Sequence, residues 1–170
     1  MDTVHGKLCN GLRSLPDEIG KLTKLESLYI ANGELETLPE SMKGLVSLTD
    51  FELYNCSRMT ECPDVIGELP ALVLLNLGNN SQWDADQCFK AIKMLSEGPS
   101  APTLQILYFN INKLSVLDGE AIGKMPKLSL MDFSNNDIQV VTAPFGASSA
   151  PVQLYLDHNH ISSLPVDENG

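Results

Sequence analysis

Residues Leu25 to Ser47 read LESLYIANGELETLPESMKGLVS, and this stretch is the clearest guide to the architecture. Counted from Leu25, apolar residues occupy positions 1, 4 and 6, and further leucines follow at wider intervals. The apolar residue at position 4 recurs along the chain after 23, 24, 32, 24 and 23 residues. The position-4 residues are Leu28, Phe51, Leu75, Leu107, Met131 and Leu154. A period of this length is typical of a protein built from stacked repeats.

Each repeat begins with a segment that alternates like a strand. Positions 4 and 6 are apolar, whereas positions 3, 5 and 7 vary, so one face of the strand is buried and the other is open. Stacking places about six such strands in one parallel sheet. Because the rest of each repeat is bulkier than its strand, we expect the stack to curve and the open face of the sheet to be concave.

Asparagine recurs at position 9, where the chain leaves the predicted strand. An inward amide can both donate and accept hydrogen bonds, so it can satisfy turn groups that no neighbouring strand reaches. Gly33 and Cys56 interrupt this series, and asparagine stands one residue earlier in those two repeats. The predicted structural ladder consists of Asn80, Asn112, Asn136 and Asn159.

The 32-residue interval contains an insertion with helical signals. Asp84 is a suitable cap, and Gly98 followed by proline is a suitable stop. We predict a helix within Asp84 to Gly98 on the convex side, the longest in the chain. Its buried side chains are expected to be Phe89, Ile92 and Leu95.

These repeats resemble the leucine-rich repeat family, and the Leu38-Pro39 pair and the position-9 asparagines strengthen the likeness. The resemblance covers all but roughly the first eight residues. It implies an α/β fold, a right-handed solenoid or horseshoe of about seven repeats with a parallel sheet on its concave face. We expect residues 1–170 to form a single domain, an excerpt of a longer array. The phrases LYLDHNHISSLPVDENG and LSLMDFSNNDI look most like secreted or surface-anchored bacterial members.

Composition restricts the partners. The net charge is −11, from 22 acidic and 11 basic residues, and it argues against nucleic acid and anionic membrane. No apolar run approaches the ~18 residues of a membrane-spanning helix, and no secretion signal is visible in this chain. A basic or amphipathic protein or peptide is the expected partner, and the oligomeric state is left open.

No motif of catalysis, phosphate binding or metal binding is recognisable, and we expect no cofactor. Cys56 and Cys62 fall on inward positions and are interpreted as small apolar residues of the core. With Cys9 and Cys88 in the chain, one disulfide or a metal site remains an alternative. His158 and His160 are assigned to a solvated loop, and Trp83 to packing beneath the insertion.

The variable strand positions supply the candidate binding surface. All four tyrosines fall on them, and tyrosine combines a large contact area with few rotatable bonds. Position 3 of three consecutive repeats is aliphatic, which predicts a continuous apolar patch. Acidic residues outnumber basic ones at the exposed positions. The predicted partner-binding residues are Tyr29, Asp50, Glu52, Tyr54, Leu74, Ile106, Tyr108, Leu130, Asp132, Tyr155 and Asp157.

The sequence therefore predicts a non-catalytic scaffold that recognises a protein or peptide on its concave face. The alternative is the substrate-recruiting arm of a larger enzyme, such as a bacterial ubiquitin ligase or a receptor kinase. The fold indicates a binding scaffold but does not identify the partner, because binding specificity depends on the exposed residues and not on the fold.

Overall fold

The computed structural model describes residues 2–6, 12–143 and 153–165. Within them lie nine strands and two α-helices. The strands are β1 (Asp2–Gly6), β2 (Leu25–Ala31), β3 (Asp50–Tyr54), β4 (Leu74–Asn76), β5 (Ile106–Tyr108), β6 (Val116–Leu117), β7 (Leu130–Asp132), β8 (Val140–Val141) and β9 (Gln153–Tyr155). The helices are α1 (Ala85–Glu97) and α2 (Gly119–Gly123).

The principal sheet is parallel and has the order β1-β2-β3-β4-β5-β7-β9. Its register pairs position 4 of each repeat with position 4 of the next, from Leu28 opposite Phe51 to Met131 opposite Leu154. These side chains form one inner row that is buried throughout, except at the partly buried Leu154. The predicted leucine-rich repeat solenoid is therefore confirmed.

The sheet has seven strands instead of about six, because the first residues of the chain also form a strand. In β1, Val4 lies opposite Leu28 and Gly6 lies opposite Ile30. The expectation that roughly the first eight residues stand outside the repeats is wrong. The glycine at position 6 removes one of the two apolar residues by which the other strands are recognised.

Three 3₁₀ helices return the chain along the convex side, at Asp17–Lys21, Glu40–Gly44 and Asp64–Glu68. Each follows a proline, whose fixed φ suits the start of a helical turn. These segments approach one another closely. A Cβ atom on Gly44 would lie 2.4 Å from the carbonyl oxygen of Gly20, so glycine is required there.

The predicted insertion helix is confirmed as α1, which is the longest helix in the part of the chain described. The Asp84 side chain accepts a hydrogen bond from the Gln87 backbone N–H at 2.9 Å, and the helix ends at Glu97 with Gly98 as its C-cap. Ile92 and Leu95 are buried as expected.

Phe89, the third residue expected in the core, is only partly buried. The inward face of α1 instead consists of Cys88, Ala91, Ile92 and Leu95, which follow helical spacing. Phe89 lies beside this face and lines a surface groove with Met94. The prediction placed Phe89 on one face with Ile92 and Leu95, but that face is centred nearer to Cys88 and Ala91, so Phe89 lies at its edge.

Aromatic side chains fill the core where the insertion meets the sheet. Trp83 is fully buried, as its predicted packing role requires, and its ring centroid lies 6.3 Å from that of Phe109. Phe109 lies 6.2 Å from Phe133 in the next repeat. The core is thus continuous from repeat to repeat. No helix among the described residues is long and apolar enough to cross a membrane.

Candidate partner-binding surface

The open face of the sheet carries three rows of side chains that cross the strands from β2 to β9. The strand register aligns the residues at positions 3 and 5 of neighbouring repeats. Position 7 is aligned by hydrogen bonds from the backbone N–H at position 8 to the position-7 carbonyl of the next repeat, as from Asn79 to Asn110. The position-3 row is Ser27, Asp50, Leu74, Ile106, Leu130 and Gln153. The position-5 row is Tyr29, Glu52, Asn76, Tyr108, Asp132 and Tyr155. The position-7 row is Ala31, Tyr54, Gly78, Asn110, Ser134 and Asp157.

All eleven residues predicted for partner binding lie in these three rows. Most are half-buried, because side chains on neighbouring strands stand only ~4.8 Å apart and cover one another's flanks. Tyr155 is 47% exposed and Asp157 is also exposed. A partner lying across the strands would therefore contact the tips of a continuous layer of side chains.

The position-3 row contains an apolar stripe, Leu74, Ile106 and Leu130. Leu74 lies directly opposite Ile106, and Ile106 lies directly opposite Leu130. Asp50 precedes the stripe, and Gln153 follows it. The row thus changes from acidic to aliphatic within one strand spacing.

The position-5 row includes a residue that the sequence prediction did not select. Asn76 lies between Glu52 and Tyr108, and its side-chain oxygen accepts a hydrogen bond from the Gly78 N–H at 3.0 Å. Asp132 does the same for Ser134, accepting from its N–H at 2.9 Å and its hydroxyl at 2.6 Å. Its place at position 5 was enough to predict that Asn76 lies on the open face. It was not selected as a binding residue because its side chain is neither charged nor aromatic.

The three rows are acidic. They contain four carboxylates, on Asp50, Glu52, Asp132 and Asp157, and no lysine, arginine or histidine from β2 onwards. In β1, His5 stands opposite Tyr29 at position 5. Arg13 and Arg58 approach Glu34 at 3.7 Å and 3.4 Å, outside the rows. From β2 to β9, negative charge in the three rows is therefore not offset by a basic side chain within them.

The position-9 asparagines connect neighbouring repeats through their buried amides. The Asn80 side chain accepts from the Cys56 N–H at 2.9 Å and donates to the carbonyls of Leu53 and Leu77. Asn112, Asn136 and Asn159 repeat the pattern, each donating to the position-6 carbonyl of its own repeat and of the preceding one. These bonds fix the rim on which the three rows end.

Position 8 has a separate role at the same rim. Its backbone is left-handed in every repeat from β2 onwards, with φ of 54° to 57°. The residues are Asn32, Asn55, Asn79, Ile111, Asn135 and His158. Asn32 and Asn55 are therefore not displaced members of the ladder but residues of this second series, and the Asn55 amide donates to Asn32 at 2.6 Å.

The remaining candidate clusters belong to the core or to solvated turns. His158 and His160 are exposed, with nitrogen atoms 3.9 Å from Asp157 and 4.0 Å from Asp137. The structure shows no metal-type group of three His, Cys, Asp or Glu among the residues it describes.

Cys56, Cys62 and Cys88 are buried, as predicted for Cys56 and Cys62, and the thiols of Cys62 and Cys88 are free. Cys9 lies outside the described residues. Burial raises the pKa of the Cys62 thiol to about 12 and that of Cys88 to about 11. Both thiols are therefore protonated at neutral pH and poorly nucleophilic.

Sequence and structure comparisons agree with this architecture. The family model described as disease resistance protein RPS4B-like, leucine-rich repeats, matches residues 1–154. Disease resistance protein RPS4 of Arabidopsis thaliana is 28% identical over 82% of this chain and 10% of its own length. An adenylate cyclase of Podospora anserina is 30% identical over 91% of this chain and 6% of its own length. The chain thus spans a small fraction of these relatives.

A solved structure gives a similar result. A leucine-rich repeat protein from Bacteroides thetaiotaomicron superposes with a TM-score of 0.79 and 30% identity, covering 91% of this chain and 21% of that one. Together with the stacked register and the asparagine ladder, the family match over residues 1–154 is decisive. The chain belongs to the leucine-rich repeat family of RPS4B-like disease resistance proteins.

Proposed function

We propose that this chain is a non-catalytic recognition scaffold that binds a basic or amphipathic protein or peptide on its concave face. One observation carries the proposal: three aligned rows contain aromatic, aliphatic and acidic side chains without a basic residue. Leucine-rich repeats are interaction scaffolds, and the composition of these rows supports the choice of face and partner chemistry.

The tyrosines would provide most of the buried contact. Tyr108 lies in the middle of the position-5 row, beside the apolar stripe, where a partner would exclude water from its ring. Residues that carry much of the binding free energy cluster near the centre of an interface and are often tyrosine. Tyr108 is therefore the residue whose loss is expected to weaken binding most.

The carboxylates would act over a longer range. A face with one sign of charge attracts oppositely charged partners and increases the rate of association, and salt weakens this effect. Asp50 and Glu52 stand next to each other on the same face of β3, so this part of the surface is the most acidic.

Selection of peptides from a random library on the immobilised chain would test the proposal. The selected peptides are expected to bind Tyr108→Ala about 30-fold more weakly, because a tyrosine at the interface centre contributes about 2 kcal/mol. Lys43→Ala changes an exposed residue of a convex 3₁₀ helix and is the control. Peptides that bind both variants as well as the parent would contradict the proposal.

The second candidate function is the substrate-recruiting arm of a larger enzyme. The adenylate cyclase match favours it, because the similar region is a repeat segment that makes up only 6% of that protein. The recognition chemistry would be the same, with catalysis located elsewhere. The 30% identity to the Bacteroides thetaiotaomicron protein supports a bacterial setting, and the RPS4 match supports one in disease resistance. The parent gene would separate these settings through an encoded signal, anchor or catalytic domain.

A further inference from the structure

The position-3 row is polar at both ends and aliphatic along its middle, and only the β3 end carries a charge. Asp50 lies on β3, and the apolar stripe follows on β4, β5 and β7. Glu52 adds a second carboxylate on β3, two residues from Asp50 and on the same face. Of the position-5 residues on β4, β5 and β7, only Asp132 is acidic, and it already accepts two hydrogen bonds from Ser134.

The spacing of this row can be compared with that of an extended peptide. Strands ~4.8 Å apart place β4, β5 and β7 about 5, 10 and 14 Å from β3. In an extended peptide, side chains on one face recur about every 6.7 Å. A basic residue above β3 would therefore place the second following residue between Leu74 and Ile106, and the fourth above Leu130.

We infer that the partner segment is an extended peptide that crosses the strands, with one lysine or arginine over Asp50 and Glu52 and two aliphatic residues at alternate positions over the apolar stripe. This inference rests on the proposed function and specifies its ligand. The order of the side chains matters, because a basic residue moved to the middle position would lie on aliphatic surface and would lose the carboxylates.

Two labelled peptides of identical composition test the order. One contains Lys-Ser-Leu-Ser-Leu and the other Leu-Ser-Lys-Ser-Leu, each with the same Gly-Ser flanks. The second keeps its pattern when the chain direction is reversed, so it controls for both orientations. Fluorescence anisotropy is expected to show about tenfold tighter binding of the first peptide.

A charge exchange tests the position. Glu52→Lys is expected to weaken binding of the Lys-Ser-Leu-Ser-Leu peptide about tenfold and to favour Glu-Ser-Leu-Ser-Leu instead. Glu68→Lys makes the same change of charge on the convex side and is the matched control. Circular dichroism of both variants would verify that they fold.

The outcomes separate the inference from the proposed function. Equal binding of the two lysine peptides, lost in Tyr108→Ala, would overturn the order of side chains and leave concave recognition standing. Absence of binding by all three peptides would also overturn the inference. The proposed function would then be tested by the library selection alone. Binding that ignores both Tyr108→Ala and Glu52→Lys would overturn both.

Discussion

Single residues at the rim of the sheet determine how each strand ends. Position 8 is left-handed in six repeats, and asparagine occupies it in four of them. Asparagine tolerates this conformation better than most residues, whereas a β-branched side chain is strained there. Ile111 is the exception at φ 57°, and the residue is 39% exposed.

The strain at position 8 can be measured at Asn135, which is exposed and has a φ of 54°. Asn135→Val is expected to lower the free energy of unfolding by about 1–2 kcal/mol, because the left-handed backbone then carries a β-branched residue. Asn135→Gly is expected to cost less, since glycine adopts positive φ readily. Urea denaturation would compare the two, and equal losses would rule out backbone strain as the cause.

The buried thiols give a second prediction at this scale. Burial raises the pKa of Cys62 to about 12 and that of Cys88 to about 11, from an ordinary value of 9.0. Above pH 9 the unfolded chain releases protons that the folded chain retains, so stability falls as pH rises. Between pH 9 and 10 the loss is about 1 kcal/mol for each thiol, because the thiol of the unfolded chain is already half ionised at pH 9.

Urea denaturation at pH 8, 9 and 10 would measure this loss. Cys62→Val keeps a small apolar side chain at the buried site, and it is expected to lessen the decrease between pH 9 and 10 by about 1 kcal/mol. An unchanged slope in this variant would show that other groups cause the decrease.

At the scale of secondary-structure elements, α1 packs through one narrow face. Ile92→Ala is expected to cost about 2–5 kcal/mol, because it leaves a cavity between the helix and the core. Phe89→Ala is expected to cost less, although it removes a larger side chain, because Phe89 lies partly in solvent. Thermal unfolding of both variants would rank them, and the reverse order would contradict the assigned helix face.

Secondary-structure elements marked by the repeated apolar residues or by helix-capping residues could be predicted from the sequence. The apolar anchors located β2 to β5, β7 and β9, and Asp84 with Gly98 bounded α1. Elements without such a signal were missed. The strand β1 has a single apolar residue, Val4, and β6 and β8 are two-residue strands whose pairing depends on the stack itself.

The positions of the candidate binding residues on the open face could also be predicted from the sequence. Alternation within each strand was enough to assign the three rows, because a parallel register keeps equivalent positions in line. Side-chain bonds were not predictable in this way. The hydrogen bonds of Asp132 with Ser134 and the ion pairs of Glu34 with Arg13 and Arg58 depend on local turns that the repeat frame does not specify.

At the scale of the whole molecule, stacking converts isolated side chains into a surface. Each repeat contributes one residue to each row, so a substitution alters one point of a layer that spans the sheet. The net charge of −11 is spread over both sides of the solenoid, whereas the concave rows combine negative charge with aromatic and aliphatic area. Total charge and its location should therefore have separable effects on association.

Two double variants would separate the effect of total charge from the effect of its location. Asp50→Asn with Asp132→Asn removes two concave charges but keeps a side-chain oxygen for the bonds from Thr49 and Ser134. Glu68→Gln with Glu97→Gln removes two charges from exposed convex positions. With a basic peptide chosen by the library selection, stopped-flow measurements should show slower association and a weaker dependence on salt for the concave pair only. If both pairs slow association equally, net charge accounts for the steering, and the acidic residues of the concave rows have no special part in it.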